Sequence, residues 1–117
     1  MILRRIVWPL LCCVALVQTA GADEDRDLNR AKIHTELSTQ YFLRGQYGYA
    51  LEEANIAIKA KRDHAAAYNV LALINAELKE DDEADKAFRN GLDYQPADSD
   101  LNHNYGWFLC ERGRAKD

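Results

Sequence analysis

A periodicity of 34 residues constrains the fold of this chain more than any other feature of its sequence. Residues 65–98 form one unit, whose small, apolar and proline positions recur incompletely in the units before and after it. In the central unit these positions are Tyr68, Leu71, Ala72, Ala84, Phe88 and Pro96. Small residues let two antiparallel helices approach closely, and the larger ones fill the seam between them. Because proline cannot continue a helix, the pattern predicts a helical hairpin that ends at Pro96.

The neighbouring units carry partial copies of the same pattern. Residues 31–64 hold the equivalent positions with Leu37, Ser38, Tyr41, Gly45, Ala50, Ala54 and Ala57. Residues 99–117 do so with Asn102, Tyr105, Gly106, Leu109 and Gly113. This spacing is typical of tetratricopeptide repeats, in which stacked hairpins bury a shared core. The sequence therefore predicts an all-α, tetratricopeptide-repeat helical-hairpin solenoid of about two and a half repeats, preceded by a signal segment.

Helix boundaries follow from the apolar spacing and the turn residues. We expect helices over residues 30–44, 47–61, 64–79 and 82–94, and a fifth that starts at 98 or 99. Gly45 should end the first helix, and short acidic or hydroxyl side chains should cap the later ones. The predicted caps are Asp63 for the third helix, Asp81 or Asp82 for the fourth, and Asp98 or Ser99 for the fifth.

The first 22 residues have the composition of an export signal. Arg4 and Arg5 precede an apolar run over residues 6–17, and residues 20–22 are small, as signal peptidases require. An abruptly acidic stretch, residues 23–30, follows as a predicted leader into the repeat domain at 31–117. These features predict an exported protein.

Two processing sites are compatible with this signal. Cleavage after Ala22 would release a soluble periplasmic chain, whereas a lipoprotein-type signal would place a lipid on Cys13. Leu10 before Cys13 suits lipidation, but Cys12 occupies the position where a small residue is usual. With the lipid, the protein would lie at the periplasmic face of the outer membrane.

Composition excludes several classes of function. The chain of 117 residues has a formal net charge of −4 and no basic patch interleaved with aromatics, so we expect no nucleic-acid partner. The three histidines form no metal-ligand pair, and no glycine-rich phosphate loop is present. We therefore expect no enzyme activity, cofactor, metal or small-molecule substrate. Cys110 lies in an apolar run and is predicted to be a packed thiol.

Repeats of this type typically bind a protein partner in a groove lined by the first helix of each hairpin. Most of the slots that face such a groove carry uncharged side chains of mixed size; the charged exceptions are Lys32, Glu77, Asp100 and Glu111. We predict that the partner-binding groove contains Thr35, Thr39, Phe42, Asn69, Leu73, His103 and Trp107. Its large side chains would act as anchors, since aromatic residues dominate interface energies.

Residues 102–110, Asn-His-Asn-Tyr-Gly-Trp-Phe-Leu-Cys, give the chain a more specific resemblance. With residues 88–92 and the linker at Pro96, this run resembles the PilF/PilW family of type IV pilus biogenesis and stability proteins. The resemblance implies a pilotin-like outer-membrane lipoprotein that helps the secretin ring to assemble. Family members are about twice as long, so we expect a C-terminally truncated solenoid. The alternative is a generic periplasmic scaffold with another client.

Overall fold

The computed structural model describes the backbone of residues 2–113 and the side chains of residues 19–113. This described region consists of five helices joined by short turns and contains no strand. The helices are α1 (Ile2–Leu43), α2 (Tyr47–Ala60), α3 (Ala65–Glu77), α4 (Asp81–Tyr94) and α5 (Ser99–Glu111). The predicted all-α arrangement of helical hairpins is confirmed.

The helices pack as two layers. Helices α1 and α2 form one hairpin and α3 and α4 the next, and α5 packs against both members of the second hairpin. Helix α3 contacts α1 on one side and α5 on the other, so α1, α3 and α5 form an inner layer. Helices α2 and α4 form the outer layer, and their backbones are further apart, with no pair of Cα atoms within 8 Å.

The first helix begins much earlier than the predicted residue 30. Helix α1 starts at Ile2, and the acidic stretch at 23–30 is part of it. No glycine or proline lies between Gly21 and Gly45 to interrupt it. Arg26 and Asp23, one turn apart, form an ion pair of 2.8 Å along its surface.

The side chain of Cys13 lies outside the described residues, as do those of the predicted signal up to residue 18. Across the described residues, no helix has both the length and the apolar character needed to cross a bilayer. The signal, the leader boundary and the lipidation site remain predictions.

Two groups of buried side chains form the core. One lies between α3, α4 and α5 and is built around Phe88, Leu101 and Phe108. The other joins α1 and α2 to α3 through small alanines and Ile74. Ser38, in a predicted small-residue position, is fully buried, and its hydroxyl donates a 2.7 Å hydrogen bond to the carbonyl of Ala50. Burying this hydroxyl is tolerated because its donor is satisfied.

Of the described glycines, Gly91 on α4 has the closest neighbours. A Cβ there would lie 2.9 Å from Leu101 Cδ1 and 3.0 Å from Tyr68 Cβ. We expect Gly91→Ala to lower the free energy of unfolding by about 1–3 kcal/mol, because overpacking outweighs the higher helix propensity of alanine. Chemical denaturation measures the change. Gly106→Ala is the matched control, since nothing lies within 4 Å of its Cβ, and it should stabilise the chain by about 0.5–1 kcal/mol. Equal effects of the two substitutions would contradict this packing.

Helix ends agree only in part with the predicted caps. Asp98 caps α5 as expected and accepts a 2.9 Å hydrogen bond from the Leu101 amide. The prediction for Asp63 is wrong, because His64 occupies the cap position of α3 and Asp63 instead pairs with Lys61 at 3.2 Å. The prediction of Asp81 or Asp82 for α4 is also wrong. Its cap position is Glu80, which makes no side-chain cap bond, and Asp81 already lies within the helix.

The turn that follows each inner helix contains one residue with positive φ. Gly45, Lys79 and Gly113, which are one period apart, have φ values of 74°, 61° and 69°. Gly45 therefore ends α1 as predicted, but the second turn places a lysine in the left-handed region that glycine tolerates best.

Relief of this strain gives a stabilising substitution. Lys79→Gly is expected to raise the free energy of unfolding by about 1 kcal/mol, because a side chain in the left-handed region costs about 1–2 kcal/mol. Glu52→Gly, in the interior of α2, should lower it by about 1 kcal/mol. Thermal and denaturant melts of the two variants provide the comparison, and a destabilised Lys79→Gly protein would show that the turn is not strained.

Candidate protein-binding site

The predicted groove residues lie on the inner layer of helices. Each inner helix carries a pair spaced by four residues, which places the two side chains on one helix face. The pairs are Thr35 and Thr39 on α1, Asn69 and Leu73 on α3, and His103 and Trp107 on α5. Since α3 contacts both α1 and α5, the α1–α3–α5 face is a continuous surface. The seventh residue, Phe42, lies one turn further along α1.

The two threonines have satisfied donors. Thr35 Oγ1 donates to the Ala31 carbonyl at 2.8 Å, and Thr39 Oγ1 donates to the Thr35 carbonyl at 3.0 Å. Both side chains are half-buried. A ligand at this end of the face would therefore meet methyl groups and hydroxyl oxygens that can still accept hydrogen bonds.

Phe42 and Leu73 serve the core as well as the surface. The ring of Phe42 lies 5.9 Å from that of Tyr47 and packs against the buried group that contains Val70 and Ile74. Leu73 packs in the same way against the core between α3, α4 and α5. Only a fraction of each side chain is available to a partner. Replacing either residue would therefore change stability together with binding.

Asn69 is joined to a residue that the predicted site did not include. Asn104 on α5 donates from Nδ2 to Asn69 Oδ1 at 3.1 Å. The bond links α3 to α5 across the face and leaves the Nδ2 group of Asn69 as a donor. This bond is hard to predict from the sequence, because the two residues are 35 apart and so do not occupy the same position of the repeat.

Trp107 and His103 are the accessible pair on α5. Trp107 is 50% exposed, and His103, one turn earlier, is also exposed. An exposed tryptophan beside a hydrogen-bonding side chain has the composition of an interface anchor. Trp107 is the strongest single candidate for partner contact on this face.

Cys110 is exposed, so its predicted role as a packed thiol is wrong. The buried side of α5 runs through Leu101 and Phe108, which are two turns apart. At 100° per residue, Cys110 lies about 200° around the helix from Phe108. Its thiol therefore points away from the core.

Polar contacts fix α5 against α4. Tyr105 donates a 2.6 Å hydrogen bond to Asp85 and accepts one of 3.1 Å from Arg89, which also pairs with Asp85 at 2.8 Å. Burial, together with the bond to Asp85, raises the pKa of the Tyr105 phenol above its usual range. The phenol therefore stays protonated at neutral pH and continues to donate to Asp85.

Arg112 closes the carboxyl end of the same helix. Its Nε lies 3.0 and 3.1 Å from the two carboxylate oxygens of Asp81, and its Nη2 donates to the Ala76 carbonyl at 3.1 Å. The guanidinium also lies 5.2 Å from the centre of the Phe108 ring. Together, the Tyr105 and Arg112 contacts fix the position of α5, the helix that carries His103 and Trp107.

No arrangement for metal binding is found within residues 19–113, where no three histidine, cysteine, aspartate or glutamate side chains could hold an ion together. His34 uses Nδ1 to contact Glu53 Oε2 at 2.5 Å. Both side chains are largely buried between α1 and α2. This pair is best explained as a link between the two helices of the first hairpin.

Comparison with known proteins finds a likeness among solved structures. No protein-family model matches the chain, and no curated protein matches it. Among solved structures, the chain is similar to the crystal structure of PilW, described as a widely conserved type IV pilus biogenesis factor. The two are 34% identical with a TM-score of 0.69, over 73% of this chain and 39% of PilW. The chain thus spans well under half the length of that protein. Over the matched residues, it has a PilW-like helical fold and is related to PilW in sequence.

Proposed function

We propose that this chain is a non-enzymatic adaptor in type IV pilus biogenesis. The observation that carries the proposal is the likeness to PilW, because 34% identity accompanies a TM-score of 0.69. Similarity in both sequence and structure supports a shared role more strongly than similarity in fold alone, since helical repeats serve many functions.

The α1–α3–α5 face is the surface proposed to bind the partner. Its seven predicted residues include no carboxylate, lysine or arginine, so an extended segment would be held mainly by apolar contacts and hydrogen bonds. Trp107 would supply the main anchor, while Asn69 and His103 would fix the register of the segment. The proposed partner is the secretin, whose assembly or stability at the outer membrane the adaptor would assist.

A pull-down from membrane extracts tests the choice of partner. The tagged full chain, expressed in its own cells, should capture the secretin. Capture of a different periplasmic client without the secretin would favour the generic scaffold and overturn this element of the proposal. A chain carrying Trp107→Ala provides the internal control for use of the α1–α3–α5 face.

Anchoring is proposed to depend on Cys13. The intact mass of the protein recovered from its native membrane fraction distinguishes the two processing routes. A chain that begins at Cys13 with added acyl mass would establish a lipoprotein tethered to the membrane. A chain that begins at Asp23 would mean cleavage after Ala22 and a soluble periplasmic adaptor.

A further inference from the structure

A polar groove lies between the outer helices α2 and α4. No Cα atom of one helix lies within 8 Å of a Cα atom of the other, and α3 forms the floor of the gap between them. The groove has a volume of about 440 Å³. Apart from Tyr68, whose hydroxyl donates to the Arg62 carbonyl, its polar side chains are Asn55, Arg62, Asn75, Glu83, Lys86 and Asn90. On α3, the groove residue Asn75 and the inner-face residue Asn69 are six positions apart and project from different sides of the helix.

Asn75, at the floor, is more polar than the fold requires. It is only 9% exposed, and its Nδ2 donates to the Leu71 carbonyl at 3.1 Å. That carbonyl is already the acceptor for the backbone amide of Asn75 within α3. A buried amide that supplies no essential hydrogen bond is unfavourable compared with an apolar side chain of similar size.

The Oδ1 atom of Asn75 is the group left over. No donor among the described residues forms a hydrogen bond with it, and the atom is not fully enclosed. Because Asn75 lines the groove, we take its Oδ1 as the acceptor that meets an occupant. Asn55 and Asn90 add amides on the two walls.

The charges at the groove favour an anionic ligand. Arg62 and Lys86 stand against the single carboxylate of Glu83, in a chain whose formal net charge is −4. None of these three side chains takes part in an ion pair within the described residues. The two cations are therefore available to a carboxylate from outside.

We propose that the groove between α2 and α4 binds an extended acidic peptide segment. An asparagine side chain offers a donor and an acceptor in the arrangement that matches the carbonyl and amide of a peptide unit. Asn55, Asn75 and Asn90 pair with the backbone of the segment, and an acidic side chain meets Arg62 and Lys86. This site is separate from the α1–α3–α5 face and does not depend on a role in pilus biogenesis.

Nuclear magnetic resonance of the full chain tests the site directly. The probe is an acetylated and amidated peptide of alternating aspartate and serine, added to millimolar concentration. We expect saturable shifts of the side-chain amide resonances of Asn55, Asn75 and Asn90. A matched peptide of alternating lysine and serine should cause none. Absence of saturable shifts, equal shifts with the lysine peptide, or shifts confined to the Trp107 indole would each overturn the proposal.

Two variants separate binding from folding. Lys86→Glu changes an exposed side chain and should weaken peptide binding about tenfold or more. Asn75→Leu should abolish the saturable shifts of Asn55 and Asn90 while the melting temperature stays equal or rises, because an apolar residue of similar size suits the buried position. Unchanged peptide affinity in Asn75→Leu, with the fold intact, would show that the amide serves the structure alone.

Discussion

Replacing Phe88 by alanine is expected to lower the free energy of unfolding by about 3–5 kcal/mol, which is the largest stability effect that we predict for this chain. Phe88 is fully buried at the junction of α3, α4 and α5. Its ring lies 5.1 Å from that of Tyr105 and 5.6 Å from that of Phe108. Alanine would leave a cavity at the point where three helices meet. Urea denaturation followed by circular dichroism measures the loss.

Tyr49→Ala is the control for loss of an aromatic ring. Tyr49 is 60% exposed, and its ring lies 5.4 Å from that of Tyr41. We expect this substitution to lower the free energy of unfolding by no more than about 1 kcal/mol. If Phe88→Ala were as mild as Tyr49→Ala, the core between α3, α4 and α5 would not be packed as described.

The second large effect concerns the partner. A double variant, His103→Ala with Trp107→Ala, should reduce co-purification of the secretin by about tenfold or more, since a single tryptophan anchor contributes at least about 2 kcal/mol at many interfaces. Both side chains are exposed, and neither supports the core. The melting temperature should therefore stay close to that of the parent chain. Quantitative blotting of the captured secretin provides the measurement.

Tyr49→Ala again serves as the matched control, because it removes an exposed aromatic from the outer helix α2 rather than from the α1–α3–α5 face. It should leave secretin capture unchanged. Leu73 and Phe42 are less suitable for this test, since each packs against the core. Full capture by a folded double variant would remove His103 and Trp107 from the proposed interface.

The fold was predictable because the repeat imposes one packing solution at several positions. Ala50, Ala54, Ala72 and Ala84 are all fully buried, as close helix approach requires. The same periodicity extends to backbone conformation, with positive φ at Gly45 and at the equivalent Lys79. The lysine was not predictable from its side chain, because only the position within the turn sets this conformation.

Features that depend on single contacts were harder to predict. Three acidic residues were candidates to cap α3 and α4, yet Asp63 pairs with Lys61 and Asp81 binds Arg112. A sequence shows that a carboxylate is near a helix start but does not show which competing cation will hold it. The early start of α1 was not predicted, because the acidic composition of residues 23–30 was interpreted as a leader. The stretch contains no helix breaker, so it extends the existing helix readily.

The repeat positions specify only part of what the predicted α1–α3–α5 face looks like in three dimensions. They place six of the predicted residues as pairs on three inner helices, but they do not distinguish an accessible side chain such as Trp107 from one shared with the core such as Leu73. They also omit the bond between Asn69 and Asn104, which joins different repeat positions. Accessibility and cross-helix bonds depend on three-dimensional packing, which a one-dimensional period does not specify.

The number of surface pili per cell tests the central proposal most directly. Electron microscopy of a strain that lacks the gene for this chain should show loss of pili, and the intact gene supplied in trans should restore them. The His103→Ala, Trp107→Ala double variant should fail to restore them at equal protein abundance, while Tyr49→Ala should succeed. Normal piliation in the deletion strain would contradict a role in type IV pilus biogenesis.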